Sequence, residues 1–288
     1  MLYELQTART SAAASLFDGW EETIILSCLQ GIMGKIYVND LNSPTAAMAV
    51  LGDFIFLAGT PDKELASCFG KPFSGAPCFT GHTASQPPSG SRFGAEDDFS
   101  GIFPNTQDFV IMVPQNENWT DMILEIYGSR AKAVTRYATK KEPDIFDREH
   151  LEKAAAKLPD GCELCMIDER LYNMCKAESW SFDLVSQFQS YEDYHRLGLG
   201  AAILMNNVIL SGASSYSRYE SGIEIEIDTK EGYRRKGLAY ACAAKLILEC
   251  LNRNLYPSWD AQNLLSVALA QKLGYHYSHS YTAIEVRR

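Results

Sequence analysis

The sequence predicts an α/β (α+β) fold of mixed, mostly antiparallel sheets flanked by helices. Residues 197–205 and 208–219 are apolar runs joined by Asn206-Asn207, a two-residue hairpin signal. Residues 222–228 alternate apolar and acidic side chains, the period of a strand with one buried face. A tight basic turn follows, then a long apolar run over 240–251 that reads as a helix.

Earlier in the chain, residues 5–18 read as a polar, Ala-rich helix and 20–29 as a second helix. Residues 34–39 read as a strand, Asn42-Ser43-Pro44-Thr45 as a turn, and 46–59 as a hairpin or bulged strand pair broken near Gly52-Asp53. A helix starts at Thr60-Pro61-Asp62, with Pro61 at its first position. Residues 70–105 turn rich in Gly, Pro and Ser, a long loop that is either a lid or a tolerated insertion. Order returns with a buried strand at 109–113 and a helix at 117–127, capped by Asn116 or Asn118 and ended by Gly128. A strand at 131–139 leads to a linker at 140–144, which separates residues 1–140 and 141–288 as two domains. A helix at 147–157, a strand at 162–168 and short helices at 169–177 and within 180–191 precede the hairpin. After the motif helix come a short strand at 257–261, a helix at 263–273 ended by Gly274, and a last strand at 276–286.

Composition narrows the function classes. The 288 residues suffice for two domains, and 46% hydrophobic against 22% charged residues is a globular balance. A formal net charge of −10 argues against a broad nucleic-acid surface and favours approach of a small cationic partner. No run approaches the roughly 20 apolar residues of a membrane span. Met1-Leu2-Tyr3-Glu4 lacks the basic stretch of a secretory signal, so a cytoplasmic protein is expected. The eight cysteines are scattered through apolar segments and read as reduced, buried thiols. Cys162 and Cys165 form the one C-x-x-C, without a second pair, so packing is favoured over a zinc or redox role. His276 and His279, three apart on a strand, face opposite ways, and no metal is expected.

The segment Asp228-Thr229-Lys230-Glu231-Gly232-Tyr233-Arg234-Arg235-Lys236-Gly237-Leu238-Ala239 carries the chemistry. A strand, a basic turn and a helix start aim several backbone N–H groups at one point, an anion site suited to a pyrophosphate. Gly237 and Ala239 lack bulk, so a phosphate oxygen can approach the main chain. Arg234, Arg235 and Lys236 add charge beside the helix dipole. On the strand before it, Ile223, Ile225 and Ile227 share a core face. Glu224, Glu226 and Asp228 share the other, which is either solvated or aimed at a ligand.

Arg234-x-x-Gly237-x-Ala239 resembles the acyl-CoA-binding signature of the GCN5-related N-acetyltransferases, the GNAT family. The order of elements over 196–286 is similar to that fold. Asn263-x-x-Ser266-x-x-Leu269-x-x-Lys272-Leu273-Gly274-Tyr275 resembles the family segment that flanks the pantetheine arm. Residues 33–139 repeat the element order of 197–286, so the resemblance implies tandem GNAT-like halves, as in the group that includes zwittermicin-resistance-type acetyltransferases. Leu57 to Asp62 stands where the first half would carry the basic turn, so only the second half is expected to bind coenzyme.

The resemblance implies an acetyl-CoA-dependent N-acetyltransferase acting on a primary amine of a small molecule. It implies coenzyme contacts at Ile227, Thr229, Arg234, Arg235, Lys236, Gly237, Leu238, Ala239, Asn263 and Ser266. The strand backbone over 225–229 would polarise the acyl carbonyl. Glu226, and after it Glu224, would serve as general base, directly or through water. In one respect the chain departs from the pattern: the tyrosine that protonates the leaving thiolate in many members falls at Ala270. Two other readings stay open. One is a coenzyme-binding or regulatory protein of this fold without catalysis. The other is a phosphate- or nucleotide-binding protein of unrelated fold, against which the lack of a G-x-x-x-x-G-K-[ST] loop argues.

Overall fold

A computed structural model describes residues 2–69, 92–93 and 109–288. Most of the lid or insertion expected at 70–105, and Cys78 with it, lies outside the described residues. The chain forms two compact units: Met1–Val134 with Thr282–Arg288, and Thr135–Tyr281.

The first unit opens with β1 (Leu2–Leu5), a 3-10 helix (Thr7–Phe17), α1 (Thr23–Leu29), β2 (Lys35–Val38), β3 (Ala46–Leu51) and β4 (Phe54–Gly59). It continues with α2 (Lys63–Ala66), β5 (Arg92–Phe93), β6 (Phe109–Pro114) and α3 (Glu117–Tyr127). Strands β1 to β4 pair antiparallel in sequence order, β4 runs parallel to β6, and residues 284–287 of the last strand run antiparallel to β6. This pairing is why the chain's end belongs to the first unit, although the sequence reading placed all of 141–288 together. Every residue of β3 is buried, which marks a strand covered on both faces.

Local expectations at the N-terminus change. Residues 5–18 do not form an α-helix. Leu2–Leu5 is drawn into the sheet by β2, and the Ala-rich stretch winds as a 3-10 helix that buries only Thr10, Ala13 and Phe17. Pro61 lies before its helix. Asp62 is the N-cap, its carboxylate accepting from the Glu64 and Leu65 N–H groups. Of the two asparagines, Asn116 caps α3 by accepting from Trp119 N–H.

β7 (Ala131–Thr139) runs from the first unit into the second. Then come α4 (Arg148–Ala156), β8 (Cys162–Met166), α5 (Glu169–Ala177), a 3-10 turn (Phe182–Leu184), α6 (Tyr191–Leu197), β9 (Gly200–Met205), β10 (Val208–Tyr219) and β11 (Gly222–Thr229). α7 (Leu238–Asn252), β12 (Tyr256–Ser258), β13 (Asp260–Ala261), α8 (Leu264–Lys272) and β14 (Tyr277–Arg287) complete the chain. A five-stranded sheet has the order β12-β11-β10-β9-β8, antiparallel except between β11 and β12. Asn206 and Asn207 take φ of 50° and 63°, the left-handed pair that a tight hairpin of this twist requires. The helix expected within 180–191 is only the 3-10 turn at Phe182–Leu184, and α6 at Tyr191–Leu197 begins where the expected range ends. Ser190 caps α6 by accepting from Asp193 N–H, so the next strand starts at Gly200. The strand expected over 257–261 is two strands: β12 joins the five-stranded sheet, and β13 pairs antiparallel with β7.

α7 lies against this sheet, and its buried residues join Ile223, Ile225, Trp259 and Tyr275 in one core. Burial pushes the Cys242 and Cys250 thiols up to about 12, which leaves them protonated packing groups. Among the described residues no helix is long and apolar enough to cross a membrane.

In the first unit Trp119 is fully buried and donates its indole N–H to the Gly59 carbonyl at 2.9 Å. Trp119→Ala is expected to lower the unfolding free energy by about 3–5 kcal/mol. Chemical denaturation checks this, and a loss below about 1 kcal/mol would contradict the packing described.

Candidate active site

β11 is paired with β10 along its whole length, but with β12 only where Gly222, Ile223 and Glu224 face Tyr256, Pro257 and Ser258. Past Glu224 the two strands part, because Asp260 and Ala261 pair instead with Ala138 and Tyr137 of β7. Among the described residues, no strand covers that edge of β11 at 225–229. The parting leaves a fork whose inner edge is bare backbone.

The basic turn stands at the end of that edge. Lys230 N–H bonds the Leu210 carbonyl at 2.9 Å, Glu231–Tyr233 makes a 3-10 turn, and Arg235 and Gly237 take φ of 60° and 82°. Gly237 is the N-cap of α7 and brings no side-chain acceptor, so the first-turn N–H groups carry no side-chain cap. Among the described residues, its chain neighbours and its own helix backbone aside, no atom lies within 4 Å of the point where a Cβ on Gly237 would stand. An uncapped helix start facing open space is what an anion needs. The donor set therefore fits a pyrophosphate.

The basic residues divide their work. Arg234 turns back, its Nε donating to the Thr229 carbonyl at 3.1 Å with its guanidinium 3.8 Å from the Asp228 carboxylate, and so braces the turn. Arg235 and Lys236 are exposed, Lys236 lying 4.8 Å over the Tyr233 ring. Thr229 and Leu238 are buried. The Thr229 hydroxyl lies 2.7 Å from Ser211 Oγ. Ile227 and Ala239 are half-buried.

The acidic face of β11 is not uniform. Glu224 is buried, and its Oε1 accepts from Asp260 N–H at 2.8 Å. Glu226 is half-buried, opposite Ser214 in register. Asp228 is half-buried, and burial raises its carboxyl above the usual range despite the Thr229 N–H and Arg234 beside it.

A further charged group sits where the strands part, and the sequence reading did not single it out. The Asp260 carboxylate takes Arg136 Nε at 2.7 Å and Nη2 at 2.5 Å on one oxygen, and the Tyr281 hydroxyl at 2.8 Å on the other. Burial opposes the Arg136 charge most strongly, but Asp260 and Tyr281 together outweigh it and hold the guanidinium more firmly protonated than usual. The one cue in the sequence was an acid between Trp259 and Ala261 in an otherwise apolar stretch.

The helix expected to flank the pantetheine arm uses its polar residues locally. Asn263 caps α8 by accepting from Ser266 N–H at 3.0 Å, and Ser266 Oγ accepts from the Trp259 indole at 3.0 Å. Ala270 is fully buried in the core. Tyr275 is buried too, donating to the Pro257 carbonyl at 2.6 Å, and burial raises its phenol well above the usual value. Tyr240 lies at the start of α7, its hydroxyl 2.7 Å from His150 Nε2.

Because the folded state holds the Asp228 carboxyl above its ordinary value, its contribution to stability is present at low pH and is lost as the pH rises past the ordinary aspartate range. Asp228→Asn removes that loss. The variant's melting temperature relative to wild type is expected to rise between about pH 4 and pH 7. Thermal melts at both ends check it, and a constant or shrinking difference would contradict the burial of this group.

The comparison with known proteins agrees with this geometry. The GNAT acetyltransferase family profile matches residues 14–284. An uncharacterized N-acetyltransferase of Bacillus subtilis (strain 168), YdfB, is 27% identical over 294 residues, covering 98% of this chain and 97% of that protein. The crystal structure of a GCN5-related N-acetyltransferase-like protein from Streptococcus suis 89/1591 is 44% identical, with 98% of this chain and 100% of that one covered and a TM-score of 0.81. A tandem GNAT protein from the clavulanic acid biosynthesis pathway shares the fold, at 7% identity and a TM-score of 0.52 over 100% of this chain and 98% of that one. With the profile spanning both units, the chain belongs to the GNAT acetyltransferase family and is an N-acetyltransferase of tandem GNAT-like, mixed α/β architecture.

Proposed function

We propose that this N-acetyltransferase transfers the acetyl group of acetyl-CoA to a primary amine of a small molecule, and that the second unit holds the coenzyme. The observation that carries the reading is the continuity of the bare edge at 225–229 with the uncapped helix start at Gly237. The N–H groups of residues 237–239, with Arg235 and Lys236 beside them, would hold the pyrophosphate. The pantetheine arm would run along β11 past Thr229 and Ile227, with Asn263 and Ser266 at the head of α8 shaping the far side. The thioester supplies an activated acyl carbon, and the 225–229 backbone offers N–H groups to its carbonyl oxygen.

Glu226 takes the proton from the acceptor ammonium, directly or through water, before the neutral amine attacks the thioester. A carboxylate at its ordinary pKa is a weak base toward an alkyl ammonium, which is why a water relay is included in this reading. Glu224 is the second candidate, with one oxygen already taken by Asp260 N–H. Alanine at 270 leaves the leaving thiolate to be protonated by solvent, which a thiol pKa of about 8.5, above neutrality, allows. The acidic balance of the chain, −10 overall, favours a cationic acceptor on approach.

The first unit is read as a GNAT-like half that binds no coenzyme, within the zwittermicin-resistance-type group. After β4 its helix start is closed: Asp62 accepts from the Glu64 and Leu65 N–H groups of α2, a carboxylate where the second unit has a glycine. Calorimetry should therefore give one CoA per chain. The buried Ala270 favours a second reading, a coenzyme-binding protein without turnover. Acetyl-CoA turnover against a panel of polyamines, amino acids and aminopolyols separates the two.

Gly237→Glu is expected to abolish CoA binding, since a carboxylate would repel the pyrophosphate and the residue would be forced to φ of 82°. Unchanged affinity by calorimetry would remove the site. Glu226→Gln is expected to lower kcat by about 10²–10⁴-fold with CoA affinity near wild type, an effect that weakens as rising pH deprotonates the amine. Full turnover by this variant at neutral pH would mean that Glu226 is not the base.

A further inference from the structure

We propose that Glu224 is the residue that opens the fork, by taking the backbone N–H that would otherwise carry the β12 ladder onward along β11. The inference rests on the coenzyme reading above for the ligand that uses the fork, and on the geometry alone for the fork itself.

The register makes the argument. Gly222, Ile223 and Glu224 face Tyr256, Pro257 and Ser258, so a continued ladder would set Asp260 opposite Glu226. In a parallel ladder the Asp260 N–H would then bond a β11 carbonyl. It bonds Glu224 Oε1 at 2.8 Å instead. A side chain of β11 thus stands in for the β11 backbone, and the ladder ends there. The last paired residues are held in place, with Ser258 buried and its Oγ 3.0 Å from the Tyr219 hydroxyl. Asp260 is held from the other side as well: its backbone pairs with Ala138, and its carboxylate is gripped by Arg136 of β7 and Tyr281 of β14. With both of these polar groups engaged, Asp260 has no call on β11, and the 225–229 edge stays bare. Glu224 is thus a positioning residue, and Arg136 and Tyr281, the partners of the Asp260 carboxylate, act through Asp260.

The test compares Glu224→Gln, which keeps an oxygen acceptor at the same reach, with Glu224→Leu, which does not. Hydrogen–deuterium exchange of the full chain reads the fork without any ligand. The 225–229 amides not bonded to β10 are expected to exchange as in wild type for Glu224→Gln and more slowly for Glu224→Leu, because the ladder closes over them. A merely structural loss would make them exchange faster, and that result, or no change, overturns the proposal. Calorimetry with CoA reads the consequence: Glu224→Gln stays within about threefold of wild type and Glu224→Leu binds about tenfold or more weakly. Equal loss in both variants would also overturn it. Should Glu224→Leu fail to fold, Tyr281→Phe removes one hydroxyl from Asp260 and is expected to slow the same amides, and no slowing there counts against the proposal. If wild type binds no CoA, the coenzyme reading falls, while the exchange comparison still decides this inference.

Discussion

The second unit depends on a change of sheets within three residues. Ser258 is the last residue of β12 to pair with β11, and Asp260 already belongs to β7. The change is held by charge as much as by backbone. Arg136 and Asp260 are mostly buried, with side chains 12% and 14% exposed, and each charge at that depth requires the other. The parting of β11 and β12 past Glu224 goes with this exchange of partners, and Glu224 holds the Asp260 N–H at the same place.

Two helix starts in the same chain differ in their caps. At α2, a single turn of four residues, Asp62 places a carboxylate over the first-turn N–H groups and satisfies them. At α7, which runs for 15 residues, Gly237 brings no side chain, and the exposed Arg235 and Lys236 precede it. The longer helix carries the larger dipole, so length, charge and cap all favour an anion at α7 over α2.

The polar residues around the fork are mostly committed to neighbours, which narrows the roles they can take. Tyr275, Asn263 and Ser266 each make a bond that builds the turn from β12 through α8. Glu224 is drawn into the same framework by Asp260. Glu226 and Asp228, further along the bare edge on the same face, are half-buried.

The sequence by itself determined what short-range physics controls. The hairpin at Asn206-Asn207 needed only residues tolerant of positive φ, and the strand at 222–228 only its period of two. The basic turn was legible because Gly237 must be glycine for its own backbone. The Asn116 cap was legible as one of two neighbouring choices. What only the tertiary structure decided depends on partners far apart in the chain. Arg136 meets Asp260 across 124 positions, and no local pattern marks that pair. The split of 257–261 between sheets, the burial of Glu224 and the capture of the chain's end by β6 were hidden for the same reason. Residues 5–18 show the converse: the stretch yields Leu5 to the strand paired with β2, and its Ala-rich remainder at Thr7–Phe17 winds as a 3-10 helix and not an α-helix despite good local propensity.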